Sequence, residues 1–292
     1  MYGPGDQRGE ALNDGNDEAV KKGSGIWDCD KDSRQQAWLT EWLEQQAADP
    51  LMRQIALRTL ALLGLRPGMQ VLEVGCGTGV FLPLLADAVA PAGSVVGIDH
   101  STPFLKEAEH RVANSRFASR VRLQQADAYH LPFVDASFDA AHCEHVLEHL
   151  EDPNAVLREM RRVVKPGGWI VAGEPHLLGN DVDHPDPEGV HLVLAHGVRR
   201  FRSPRIGLEL NRRMAQAGLV DRKVELFTRL VTDLDPHNAR VFAEIATEAV
   251  LEGLLTRDRA DALLHHLHEV SQGGYFSSYY PFFLVAGRVA IS

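Results

Sequence analysis

The stretch that most constrains this chain is Val71-Leu72-Glu73-Val74-Gly75-Cys76-Gly77-Thr78-Gly79, continued by Val80-Phe81-Leu82-Pro83-Leu84-Leu85. A short apolar run ending in a carboxylate, glycines at alternate positions and then a second apolar run predict a buried strand, a tight turn and a helix. Glycines take backbone conformations closed to other residues and remove the Cβ atoms that would hold a small molecule off the main chain. With the free amides of a helix start beside it, such a turn is a ligand cradle.

A dinucleotide-binding turn places its third glycine where this chain has Val80, so an NAD-dependent oxidoreductase is disfavoured. The order Glu73-x-Gly75-x-Gly77-x-Gly79 instead resembles the first motif of the class I S-adenosylmethionine-dependent methyltransferases. In that family the glycine loop packs on the methionyl part of the donor.

Two further runs point the same way. Ser94-Val95-Val96-Gly97-Ile98-Asp99 reads as a second strand ending in an acid, where nucleoside-binding α/β folds place a ribose ligand. The run from Val121 to Gln125 leads to Asp127 and Ala128. The resemblance makes Asp99 the ribose ligand and sets Asp127 and Ala128 against the adenine. Around the donor it implies Glu73, Gly75, Cys76, Gly77, Gly79, Asp99, His100, Asp127, Ala128 and Glu144. Strand ends in an open parallel sheet converge on one crevice, which these residues would share.

Further along, Phe138 to Cys143 reads as strand four, followed by Glu144-His145-Val146-Leu147-Glu148-His149. Asp152-Pro153 sets a helix start, with the acid as cap and proline in the first turn, and the helix runs toward Lys165-Pro166-Gly167-Gly168. This block resembles the small-molecule and quinone-biosynthesis members of the family. Trp169 to Gly173 is then strand five, delivering Glu174 and His176 to the same sheet edge. Methyl transfer from a sulfonium is chiefly a matter of positioning, but a hydroxyl acceptor needs its proton removed, which suits histidine. His145 is the first candidate for that base and His176 the second. Glu148 and His149 match the acid-rich segment that quinone-pathway O-methyltransferases use for a divalent metal. His145 stands where that group has an acid, so no metal is expected.

The expected architecture is an α/β fold: a seven-stranded Rossmann-like, mostly parallel sheet with helices on both faces. Residues 1–25 are polar, lack apolar periodicity and read as a mobile tail. Residues 26–64, with Trp27, Trp38, Leu39, Trp42 and Leu43 and a second helix opened by Pro50, form an N-terminal helical extension, either a lid over the crevice or a surface for homo-oligomer formation. The methyltransferase domain spans 65–292. Within it, 176–205 reads as a loop and 236–271 as a helical insertion before the last strand, together capping the substrate. Arg199, Arg200, Arg202 and Arg205 form a basic cluster, either a grip for an anionic substrate or a solvated helix entry.

With a formal net charge of -10, the 292-residue chain is not a general nucleic-acid binder. No apolar stretch reaches membrane-spanning length, and the start of the chain lacks a secretory pattern, so a cytoplasmic protein is expected. Its three cysteines, Cys29, Cys76 and Cys143, have no metal-type spacing and read as free thiols. The expectation is therefore transfer of a methyl group from S-adenosylmethionine to O, N or C of a small molecule. A donor-binding member of the fold that catalyses a rearrangement or cyclisation, or none at all, is the alternative.

Overall fold

In the computed structural model, which describes residues 33–291 apart from the side chains of 33–38 and 237, the first apolar run is strand β1, Gln70–Val74. It pairs in parallel with β2, Ser94–Asp99, on one side and with β4, Phe138–Glu144, on the other. Beyond these lie β3, Val121–Gln125, next to β2, and β5, Val164–Pro175, next to β4, again parallel. The long strand β8, Ser278–Val289, runs antiparallel to β5 and carries β7, Leu219–Val231, on its far side. The order is β3-β2-β1-β4-β5-β8, so the connections reverse direction between β1 and β4. That reversal opens a crevice at the carboxyl ends of the strands, where the glycine turn lies.

Eight strands are present among the described residues where seven were expected. The addition is β6, Asp181–Val182, which pairs with Tyr279 and Ser278. Strand β5 ends opposite Phe282, so β8 runs on past its partner and offers free hydrogen-bonding groups that this short segment takes up. The stretch 176–205 is also not all loop. It holds a helix, Pro187–Gly197, opened by Asp186, whose side chain accepts from the Gly189 amide. The start is the same acid–proline pair found at Asp152–Pro153, and Val190 and Val193 are fully buried.

Helix α1, Ser33–Ala48, and α2, Pro50–Leu63, precede the sheet. Asp49 caps α2 by accepting from Leu51 and Met52, and Gly64 ends it in the left-handed conformation. Ile55, Leu62 and Leu63 then bury one side of α2 with Val71, Val171 and Leu284 of the sheet. The expected tail at 1–25, together with Trp27 and Cys29, lies outside the described residues.

The helices α3, Leu82–Ala88, and α4, Thr102–Ala113, follow β1 and β2. Helix α5, Pro153–Val163, buries Val156, Leu157, Met160 and Val163 on the opposite sheet face, beside α7, Ile206–Gln216. With α6 assigned to Pro187–Gly197, the insertion before β8 is two helices, α8, Pro236–Leu251, and α9, Arg257–Gly273. They share a separate apolar core with α6, built from Val190, Val193, Phe242, Ala246, Leu263 and Leu267. Arg259 ties this cap together by a two-pronged bond to Asp186.

Candidate active site

The glycine turn is built by backbone geometry that only glycine meets cheaply. Gly75, Gly77 and Gly79 have φ of 70°, 51° and 77°. Their surroundings differ. A Cβ on Gly75 would stand 2.3 Å from Cγ2 of Val146, and one on Gly79 would press on Ala108 at 3.0 Å. At Gly77 the nearest atom is Cδ1 of Leu43, 3.5 Å away, so this glycine faces the space between the turn and helix α1.

Asp99 ends β2 beside that space. Its carboxylate accepts from the Gly77 amide at 2.9 Å and from the Ser101 amide at 2.9 Å, which fixes the turn to the second strand. His100 is largely exposed, with Nδ1 3.3 Å from Asp99 Oδ1. Asp127 lies on the exposed connection after β3, accepting from the Tyr129 amide, with His130 Nδ1 3.1 Å from its Oδ2; Ala128 packs against the core beneath. Cys76 is buried in the turn, and burial together with the charges of Asp99 and Glu73 pushes its thiol well up, so its role is spatial.

At the ends of β1, β4 and β5 lies a buried set of acids and histidines. Glu73 faces His142 across the ladder, Oε2 to Nδ1 2.8 Å, and both are almost fully buried. Burial raises the Glu73 carboxyl. Burial by itself lowers His142, but the charges of Glu73 and Glu144 outweigh it and raise it. The His142 ring lies against Phe81, and its Nε2 has no hydrogen-bond partner among the described residues, with Glu144 Oε2 4.0 Å away.

Past β4 the chain makes a single 3-10 turn, Leu147–His149. Glu174, at the end of β5, caps that turn by accepting from the amides of Val146, Leu147 and Glu148. Burial, with the neighbouring Glu148 charge, raises the Glu174 carboxyl. His145 sits at φ 55°, a left-handed conformation unusual for a side chain of its size, which turns its ring back toward Glu148. Burial would lower the His145 imidazole, but the hydrogen bond and charge of Glu148, aided by Glu144 and Glu174, raise it to about 9. Burial raises Glu148 in turn, and the two histidines 145 and 149 more than reverse that and hold it low.

The His145 ring packs between Trp42 of α1, centroids 5.8 Å apart, and Phe282 of β8, 5.2 Å apart. Its Nε2 is buried and has no hydrogen-bond partner among the described residues. Helix α1 therefore covers both halves of the crevice: Leu43 over Gly77, Trp42 over His145. Glu44 pairs with Arg111, whose Nε also reaches the Thr78 carbonyl, and Arg229 of β7 pairs with Gln46 and Asp49.

His176 does not join this group. Its ring meets Phe283 rather than Phe282, and consecutive side chains of a strand point to opposite faces, so β8 lies between the two histidines. Nor does the basic cluster form an open grip: Arg199, Arg200, Arg202 and Arg205 pair with Glu252, Glu248, Glu151 and Glu209. Reasoning from sequence overlooked His142 as the buried partner of Glu73 and Glu174 as the cap of the 147–149 turn. It also overlooked Tyr280, whose hydroxyl lies 3.3 Å from Arg229 on the crevice side of β8. The signal for the first was a charged residue on each of two adjacent apolar strands.

A parallel sheet with a glycine turn and two acids at its carboxyl edge, and a wall rich in carboxylates, defines a nucleoside-binding α/β enzyme suited to a cationic ligand. Comparison with known proteins narrows this. Residues 72–172 match the family model described as a methyltransferase domain. An uncharacterized 37.1 kDa protein of a Streptomyces fradiae transposon is 33% identical over 247 residues, 84% of this chain and 70% of that one. The demethylmenaquinone methyltransferase of Desulfitobacterium hafniense is 41% identical over 107 residues, 37% of this chain and 42% of that enzyme, so the match spans less than half of its length. Among solved structures, a geranyl diphosphate methyltransferase in complex with S-adenosylmethionine superposes with a TM-score of 0.52 at 19% identity, over 92% of this chain and 95% of that one, a likeness of fold. The chain belongs to the class I S-adenosylmethionine-dependent methyltransferases.

The methyl donor is S-adenosylmethionine. The residues present fit it: Gly77 keeps a Cβ off the main chain where only the Leu43 side chain of α1 stands over it among the described residues, Val80 removes the close helix approach of a diphosphate site, and the acids of the crevice suit a sulfonium and an ammonium. Gly75, Gly77 and Gly79 would shape its cradle, Asp99 and Asp127 would receive its nucleoside, and Glu73 and Glu144 would lie toward its charged end.

Proposed function

We propose that this chain methylates a small molecule at a hydroxyl oxygen, with His145 as the base that takes the hydroxyl proton. The observation that carries this is the buried, unpartnered Nε2 of His145, held in place by the 3.0 Å contact of Nδ1 with Glu148. A buried nitrogen without a partner costs about 1–3 kcal/mol, which a hydroxyl donating to it would recover once the imidazole has lost its proton. Glu148 fixes the ring and stabilises the imidazolium that forms when His145 accepts the proton, as the acid of a catalytic triad does. Trp42 and Phe282, flanking the ring, supply the apolar walls that a partly aromatic acceptor would fill.

The bound donor supplies an electrophilic methyl group, and transfer needs only an oxygen nucleophile in line with it and shielded from water. A cation held in this crevice also disfavours the imidazolium, so His145 would release its proton more readily in the donor-bound state. The small-molecule acceptor follows the relatives in kind: one acts on demethylmenaquinone, and the structural neighbour on geranyl diphosphate. Strand β8, which separates His176 from Trp42 and Phe282, is what favours His145 over it.

Incubating the protein with labelled donor and a panel of phenolic, quinol, amine and aliphatic acceptors tests the proposal by mass spectrometry. An oxygen-linked gain of one methyl group, lost in His145→Ala, is expected. Methylation of nitrogen or carbon alone, or full turnover by His145→Ala, would remove His145 from this role. Conversion of an acceptor without any gain of mass would point to a rearrangement or cyclisation.

A further inference from the structure

Strand β7 is 13 residues long and, among the described residues, pairs only with β8. Its outer edge is thus a row of unpaired amides and carbonyls, a template that soluble proteins usually blunt with charge, proline or a short strand. Here it is not blunted where it is flat. Along the face turned away from α2, Val224, Leu226 and Leu230 are 48%, 57% and 64% exposed, and Tyr279, across the ladder from Leu230, is 44% exposed. The alternation is regular, with 224, 226, 228 and 230 exposed and 225, 227, 229 and 231 half-buried. The charges of the strand sit on the other face, where Glu225 meets Arg58 and Arg229 meets Asp49. A bulge between Val220 and Lys223, with Asp221 at φ 50° paired to Arg288, ends the regular edge on one side and leaves residues 223–231 as an open ladder.

We propose that this edge joins two copies of the chain in an antiparallel ladder, β7 to β7, making one continuous sheet across a twofold axis. The occupant is a second copy because the strand is complementary to itself. With the axis at Phe227, Glu225 falls opposite Arg229, Val224 opposite Leu230, and Leu226 opposite Thr228. Opposite charges meet on one face and apolar side chains on the other, both of which stabilise cross-strand pairs. Moving the axis to Leu226 sets Lys223 against Arg229, two like charges, so the self-pairing also has a preferred register. A twofold contact of this kind closes on itself and consumes both free edges, which stops further addition.

The test is sedimentation velocity on the full chain between about 1 and 100 μM, alongside Leu226→Lys and Leu230→Lys. A particle of about 64 kDa, twice the 32.2 kDa chain, is expected for the unaltered protein. Each lysine variant should raise the dissociation constant at least about tenfold with an unchanged circular dichroism spectrum and unchanged binding of S-adenosylhomocysteine. Leu230, at 64% exposure, makes no buried contact that its replacement could unfold. Removal of residues 1–32 should leave the dimer intact. A monomer at every concentration, a dimer indifferent to both lysines, or one abolished by removing residues 1–32 would each overturn the assignment.

Discussion

Oε1 of Glu148 stands 3.0 Å from Nδ1 of His145 in the turn that follows the fourth strand, and Nε2 of His149 lies 3.3 Å from the same oxygen. One buried carboxylate oxygen thus stands against two imidazoles, and its hydrogen bond and charge are the main reason that His145 keeps its proton up to about 9 despite burial. A base must lose that proton before it can act, so turnover limited by His145 should climb with pH and level off near 9 in the free enzyme. Glu148→Gln removes the charge and keeps the shape. The inflection in kcat/KM should then move down toward the ordinary histidine value of about 6.5, with a lower plateau. A pH profile that does not move in Glu148→Gln would separate the acid from the chemistry.

Asp99 holds the glycine turn through the Gly77 amide and also accepts from the Ser101 amide; in the proposed donor site its remaining lone pairs would receive the ribose hydroxyls. Asp99→Ala should weaken S-adenosylmethionine by about 1.5–3 kcal/mol, the scale for lost hydrogen bonds to a charged acceptor. Calorimetric titration of the folded variant measures this directly. Undiminished affinity would take Asp99 out of the donor site.

The three glycines of the turn should answer differently to the same substitution. Gly75→Ala drives a Cβ to within 2.3 Å of Val146, so the cost should fall on stability, about 2–4 kcal/mol of overpacking and left-handed strain. Gly77→Ala meets, among the described residues, only Leu43 at 3.5 Å and should lose about 1–2 kcal/mol of stability. Its larger loss should be in donor affinity, at least about tenfold, because the new methyl group stands where a ligand must touch backbone. Urea unfolding and titration separate the two effects, and a Gly77→Ala protein that binds the donor normally would make the turn purely structural.

The part of this fold that was legible in the sequence is the part governed by local pattern. Val71–Val74 and Ser94–Asp99 announce themselves as short apolar runs ending in acids, and Asp152-Pro153 announces its helix by cap chemistry. Asp186-Pro187 carried the same signal and the helix was there, but the histidines, aspartates and prolines around it gave 176–205 the composition of a loop. Strand β6 could not be seen at all, since two residues have no periodicity and pair only because β8 outruns β5. At the candidate site, the sequence let single residues at the strand ends be picked out. What was hidden is pairing over distance: Glu73 with His142, 69 positions apart, and Glu174 with three amides more than 25 positions upstream. Such partners are decided by strand register, which is a property of the assembled sheet.

The same buried groups make stability fall as pH rises. His145 is raised to about 9 in the folded chain, so between about 6.5 and 9 the native state holds a proton that the unfolded chain has released. Glu174, raised by burial and by Glu148, adds to this from the ordinary glutamate range upward. More protons bound in the native state means a negative slope of unfolding free energy with pH. The His145 contribution is fully present below about 6.5 and gone once pH passes about 9. The melting temperature should therefore drop by several degrees between pH 6.5 and 9, and the drop should shrink in His145→Gln. A flat profile over that range in the unaltered protein would contradict the assigned protonation.

Helix α1 touches the crevice at three places: Leu43 over Gly77, Trp42 on His145, and Glu44 on Arg111 beside the turn. Apart from Leu39, which is buried, the described side chains of the helix are half-buried or exposed. That is the balance expected of an element that can lift to admit a ligand and close to exclude water. Deleting residues 1–48 keeps the Asp49 cap of α2 and should leave the sheet folded, with a melting temperature within a few degrees. Turnover should fall by at least about tenfold and the donor should dissociate faster, because neither Gly77 nor His145 is then covered. Substituting Trp42→Ala alone should reproduce part of the turnover loss without the faster release, since Trp42 meets the imidazole and Leu43 meets the turn. A truncated protein with the turnover and donor release rate of the full chain would reduce α1 to packing.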